Sequence, residues 1–151
     1  MNISNILTEK HIFIGLKSGS KREFLQDLAQ KASEIIGIDA LTIFDSILER
    51  ENLGSTGFGG GTALPHSRFA DLDKVYAFFA KPSYPLDFDA IDNKPVDLVF
   101  LLISPEGSGA DHLTALAMLS RILKDEGTCN KLRQMSNQTG IYALLNEAYL
   151  K

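Results

Sequence analysis

One cysteine, Cys129, is all the chain carries, so it has no internal disulfide framework and no CxxC or four-cysteine zinc site. A single thiol without a pairing pattern fits a reducing compartment. Long hydrophobic runs are missing too. The longest clean ones, Val75–Ala80 and Leu98–Ile103, have six residues each, whereas a spanning helix needs about 20. The first residues, MNISNILTEKHIF, show no basic head followed by an apolar stretch. No signal peptide or membrane insertion is expected, and a cytoplasmic protein is the simplest reading. Positive charge is not in surplus: 15 Lys and Arg stand against 19 Asp and Glu, a net charge of −4. A general nucleic-acid binder would show the opposite balance. Lysine is absent from the whole stretch between Lys31 and Lys74.

What remains is an ordinary globular composition, with 44% hydrophobic and 23% charged residues in 151. A chain of that length buries roughly 70% of the surface its unfolded form exposes, enough for a core without staples. No repeat, low-complexity tail or linker interrupts it, so residues 1–151 read as a single domain.

The pattern before the middle of the chain is mostly helical. Residues 12–16 form a short apolar run with strand character. Ser20 and Glu23 make a capping-box signature. Phe24, Leu25, Leu28, Ala32, Ile35 and Ile36 then recur at helical spacing, and Gly37 provides a stop. A second helix is expected over 40–51. After the middle, Val75–Ala80 and Val96–Ser104 are apolar runs rich in Val, Ile and Phe, the mark of strands buried on both faces. Between them, residues 85–93 (PLDFDAIDN) read as a short strand ending in a turn. Helices are expected over 111–124, 126–135 and 138–148. The expected fold class is therefore α/β, a mixed sheet covered by helices on both faces.

Between the two regions lies the one biased segment, in which five of the 12 glycines fall within Gly54–Gly61. Three readings fit it. A nucleotide-phosphate loop uses glycines for close backbone approach, but it needs the lysine that is missing here, and a dinucleotide loop should follow a strand and open a helix. An inert turn needs only positive-φ positions. A phosphoryl-carrying histidine fits the way the segment ends. Pro65 fixes the backbone ahead of His66, and the glycines leave room for a bulky anion. Imidazole, with a reference pKa of about 6.5, is a nucleophile near neutrality. Phosphoryl transfer needs positioning and positive charge more than covalent assistance. Arg50 is placed to supply charge, and Ser55 and Thr56 to donate hydrogen bonds. His112 follows Gly109-Ala110-Asp111 at a helix start, where the dipole disfavours the imidazolium. Arg68 reads as a surface charge and Cys129 as a small buried hydrophobe. A metal site from His11, His66 and His112 matches no short ligand motif.

Residues 50–67, R-E-N-L-G-S-T-G-F-G-G-G-T-A-L-P-H-S, resemble the active-site signature of the fructose/mannitol-type enzyme IIA domains of the bacterial phosphotransferase system. The G-S-T-G segment, F-D-A-I-D-N-K-P-V-D-L-V-F-L-L at 88–102 and G-A-D-H-L at 109–113 look most like its nitrogen-regulatory branch. The resemblance runs from about Ile3 to Leu145. It implies a phosphohistidine at His66, a second active-site histidine at His112 and an arginine at Arg50. Two positions depart from the usual pattern, Thr62 in place of an aliphatic residue and Ser67 in place of Gly, Ala or Cys.

The function that follows is that of a histidine phosphocarrier and phosphotransferase. His66 accepts phosphate from an HPr-type carrier protein, and neither a metal nor another cofactor is required. Leu53 and Phe58 are candidates for an apolar docking surface, and the acidic chain favours a donor with a basic face. The nitrogen-type resemblance implies a regulatory output, with a sensor kinase or an ion transporter as targets. The alternative is a sugar-transport IIA that passes its phosphate to a IIB domain.

Overall fold

The computed structural model describes residues 1–149. The chain runs β1 (Ile12–Leu16), α1 (Lys21–Ile36), α2 (Ala40–Leu53), β2 (Gly57–Gly59), β3 (Thr62–Ala63) and β4 (His66–Phe69). It continues through β5 (Tyr76–Pro82), β6 (Leu98–Pro105), α3 (Gly109–Lys124), α4 (Glu126–Gln134) and α5 (Gln138–Tyr149). The strands make one mixed sheet in the order β1-β5-β6-β3-β2, with β4 also on β6. Helices cover both faces, as the sequence pattern predicts. No helix among the described residues is long and apolar enough to cross a membrane.

Strand periodicity explains the two-sided burial. Ala77, Phe79, Leu98, Phe100 and Leu102 join a core under α3, α4 and α5. Phe78, Ala80, Val99, Leu101 and Ile103 point the other way, into a core under α1 and α2. An unbroken apolar run is what a strand needs when both its faces are covered.

The helix signals act largely as read. Ser20 accepts from Glu23 N at 3.1 Å, while the Glu23 carboxylate reaches back one residue further, to Gly19 N. Gly37 ends α1 in the left-handed region, at φ +80°. α2 is capped by Asp39 and runs to Leu53, two residues beyond the expected end. Lys81, on β5, donates to the carbonyls of Leu132, Arg133 and Met135, placing its charge at the negative end of α4.

Two differences from the sequence pattern matter. The first is the expected strand over 85–93, which is a loop held at one point by a Leu86–Val96 bridge. Asp89 and Asn93 take positive φ values of 52° and 59°, which no strand accommodates. The aspartates instead fold the chain locally, Asp87 accepting from Asp89 N and Asp92 from Lys94 N. The second is the glycine segment, in which β2 lies and which β3 and β4 follow as two more short strands. Gly60 and Gly61, at φ +67° and +79°, make the two-residue turn joining β2 to β3.

β3 and β4 then lie end to end along one edge of β6, both parallel to it, with β5 on the other edge. The gap between them is Leu64-Pro65. Leu64 N turns aside to Thr56 O, and Pro65 has no N–H to give, although its carbonyl accepts from Leu102 N.

Candidate active site

His66 opens β4, directly after that gap. It is paired with Leu102 of β6, whose side chain faces α3, and the register turns His66 to the same side. Its Nδ1 lies 2.8 Å from Leu64 O. A carbonyl oxygen only accepts, so Nδ1 carries the ring proton and Nε2 keeps its lone pair. The ring is half-buried and borders a cleft of about 270 Å³.

His112 is the fourth residue of α3. Its ring centroid is 5.8 Å from that of His66. The residue is buried, and Nδ1 is 2.8 Å from Ser104 Oγ. Ser104 is fully buried on β6, two residues beyond Leu102 and therefore on the same face. The parity of β6 thus delivers a hydroxyl to one histidine and a neighbour to the other.

Both rings have pKa values below that of a free imidazole. Burial lowers the His66 pKa against the Leu64 hydrogen bond, with Arg50 and Arg68 adding to the effect and Glu51 opposing it. His112 is pushed down to about 4, first by burial, then by the charge of Arg68 and by repulsion from His66 when that ring is protonated. The exposed Arg68, read as a surface charge, therefore acts on both histidines through its field.

Arg50, in the last turn of α2, lines the same cleft as His66. Its Nη1 donates to Gly54 O at 2.8 Å, which fixes the side chain at the helix end. Ser55 and Thr56 also line the cleft, but their hydroxyl protons are already given away. Ser55 Oγ donates to Phe88 O at 2.5 Å and accepts from Gly57 N, and Thr56 Oγ1 donates to Glu51. A phosphate contact from either hydroxyl requires one of those bonds to open.

Phe58, named in the sequence for an apolar docking surface, and Leu64 line the cleft as well, and Leu116 and Ser120 of α3 complete the wall. Sequence reasoning did not single out these last two for the site, although 112, 116 and 120 follow the four-residue spacing of one helix face. Thr62 and Ser67 each find a use. Thr62 Oγ1 donates to Gly59 O at 2.8 Å, tightening the turn, and Ser67 bonds Ser46 of α2. His11 joins neither histidine, packing instead against Phe78 with Nδ1 donating to Ala77 O. Cys129 is buried, and burial raises its thiol pKa, as expected of a packed rather than a reactive cysteine.

A family model described as phosphoenolpyruvate-dependent sugar phosphotransferase system, EIIA 2, matches residues 5–148. A nitrogen regulatory protein of Bradyrhizobium diazoefficiens is 43% identical over 145 residues, covering 96% of this chain and 95% of that one. Among solved structures, nitrogen regulatory protein IIA-Ntr from Neisseria meningitidis superposes with a TM-score of 0.90 at 31% identity, over 95% of this chain and 98% of that one. The enzyme IIA of mannitol from Escherichia coli, solved in complex with its phosphorylated enzyme IIB, has the same fold. It superposes with a TM-score of 0.77 at 19% identity, over 93% of this chain and 97% of that one.

Proposed function

Because the chain belongs to the EIIA type 2 family of the phosphoenolpyruvate-dependent phosphotransferase system, we propose that it is a nitrogen-type phosphocarrier with His66 as its acceptor. The observation that carries this reading is the ring of His66. Its Nδ1–H is spent on Leu64 O, which leaves the Nε2 lone pair as the nucleophile beside His112.

Transfer needs no base. The Nε2 lone pair forms the new N–P bond, and the bond to the donor's histidine breaks with its electron pair returning to that nitrogen. His66 keeps its Nδ1 proton throughout, and Leu64 O stabilises the positive charge the ring gains. With Ser104 donating to His112 Nδ1, the proton of His112 sits on Nε2 and serves a phosphate oxygen. Arg50 offers its remaining N–H groups to the same anion. A neutral His112 donates without the desolvation cost of a second buried cation.

An HPr-type carrier protein is the donor in this reading. Leu53 at the end of α2 is 83% exposed and Leu113, next to His112, is 62% exposed, so apolar surface is open beside the site residues in sequence. The name of the Bradyrhizobium relative favours a regulatory output, in which a sensor kinase or ion transporter distinguishes phosphorylated from bare His66. The mannitol complex keeps transfer to a IIB domain as the second reading.

The test is incubation with phosphoenolpyruvate, enzyme I and the HPr-type carrier. One acid-labile, base-stable phosphate per chain is expected, and none on His66→Ala. Label on His66→Ala equal to wild type overturns the assignment. Onward transfer to a IIB domain faster than to water decides for the second reading.

A further inference from the structure

We propose that Glu51 is a positioning residue of the acceptor site, acting through Thr56 and Leu64 on the ring of His66, with Lys21 as its counter-ion. The inference rests on the phosphocarrier reading above and assigns a residue to it. Glu51 is next to Arg50 on α2, but it faces inward and its side chain is only 1% exposed. A carboxylate buried that deeply needs full compensation. Lys21 Nζ, from the first turn of α1, supplies it at 2.8 Å.

An ion pair between two helices would by itself be only a structural tie. Here the carboxylate also holds residue 56 twice, accepting from Thr56 N at 3.1 Å on one oxygen and from Thr56 Oγ1 on the other. Thr56 O in turn accepts from Leu64 N at 3.1 Å, and Leu64 O accepts from His66 Nδ1 at 2.8 Å. Each link fixes the peptide that makes the next. The far end of the chain of bonds is the carbonyl that decides which nitrogen of His66 is bare. Lys21 Nζ also donates to Phe88 O, the acceptor of Ser55 Oγ, so the same ammonium steadies residue 55. The negative charge of Glu51 is felt at His66 as well, against the opposite pull of the arginines.

The roles of its two oxygens distinguish the conservative replacement from the drastic one. In Glu51→Gln the amide oxygen still accepts from Thr56 N and Lys21, and only the Thr56 hydroxyl loses its acceptor. In Glu51→Leu both bonds go and Lys21 loses its counter-ion.

The experiment compares wild type, Glu51→Leu, Glu51→Gln, Glu51→Asp and Thr56→Val, each checked for folding by circular dichroism. The tautomer of His66 is read at pH 7.5 from ¹⁵N-labelled protein, and phosphorylation is driven by phosphoramidate, a small donor that needs no docking surface. Wild type is expected to show Nδ1 protonated and Nε2 bare. Glu51→Leu should mix the two tautomers and lower the maximal rate about 30-fold with little change in KM. Glu51→Gln should keep the wild-type tautomer and lose less than about fivefold. A folded Glu51→Leu with wild-type tautomer and rate overturns the proposal, as does Glu51→Gln as slow as Glu51→Leu. Thr56→Val lacks only the hydroxyl bond, as Glu51→Gln does, and should behave like it. Should Glu51→Leu not fold, Glu51→Asp carries the test: it keeps a charge for Lys21 but is one methylene too short to hold residue 56, and an unchanged tautomer and rate there also overturn the proposal. The tautomer comparison needs no phosphoryl donor, so it stands apart from the phosphocarrier reading, whose own failure is an unlabelled wild type.

Discussion

The rings of His66 and His112 lie 5.8 Å apart, inclined at 56°, one at the start of a strand and the other on the helix packed over it. Both have pKa values below that of a free imidazole, which makes the site sensitive to acid in a definite sense. A depressed folded value means that stability is whole above the unfolded value of about 6.5 and is lost as pH falls toward the folded one. For His112 that window ends at about 4. The urea midpoint should be flat from pH 8 to 6.5 and drop by pH 5. His112→Gln, which has no proton to gain, should show a shallower drop. Acceptance of phosphate should fall on the acid side as His66 gains a proton, with a midpoint below that of a free imidazole.

Arg50→Lys is expected to keep the fold and slow labelling. A lysine retains the charge but not the planar set of donors, and loss of a fixed donor to a transferring phosphoryl group costs roughly 10²-fold in rate. Rapid-quench labelling should show the loss at saturating carrier, with thermal stability within about 2 °C of wild type.

Ser104→Ala should leave His112 Nδ1 buried without its partner. A stability loss of about 1–3 kcal/mol is expected from urea unfolding, together with slower transfer. A variant as slow as this but as stable as wild type would mean that Ser104 acts on chemistry alone.

Leu53→Asp replaces a side chain that is 83% exposed, so unfolding should move by less than about 0.5 kcal/mol. KM for the carrier protein should rise several-fold while labelling by phosphoramidate is unchanged. Equal effects on both donors would remove Leu53 from the docking surface.

Gly61→Ala tests the hairpin under the site. Gly61 has φ +79°, and an added Cβ would lie 2.7 Å from Arg133 Nη2 and 2.9 Å from Asp97 Oδ1. Arg133 also donates to Gly60 O at 2.6 Å, so its displacement frees the turn. A loss of about 2 kcal/mol is expected. Gly107→Ala, with nothing within 4 Å of the new Cβ, should cost far less.

The sandwich of sheet and helices was legible because burial on both faces forces apolar runs such as Leu98–Ile103. The helix limits at Ser20 and Gly37 were legible because caps are local chemistry. His66, Arg50 and His112 could be singled out because their residue types suit an anion. The short strands in and just after the glycine segment could not be read. β3 has two residues, and its partner is supplied by a strand more than thirty positions away. Nor could Ser104 or Glu51 be assigned, since a serine in an apolar strand and a glutamate at a helix end are unremarkable until parity and packing show what they face. The loop over 85–93 misled for the reverse reason. Its apolar residues alternate like a strand, but Asp87 and Asp92 bond their own backbone and turn the chain.

The interrupted strand along β6 has a consequence for encounter. An acceptor carried on a mobile loop would sample poses and let each visitor select one. The proposed acceptor, His66, instead shares the mounting of a strand buried along nearly its whole length, flanked by β5 on one edge and by β3 and β4 on the other. Its nitrogen presents the same small target to every visitor, so little ordering entropy remains to be lost when one arrives. Tolerance toward partners of different shape has to come from the approaching protein or from side chains such as Leu53 and Leu113. Selectivity among them is then a matter of fit around a stationary point, open to change at the periphery without disturbance of the transfer itself.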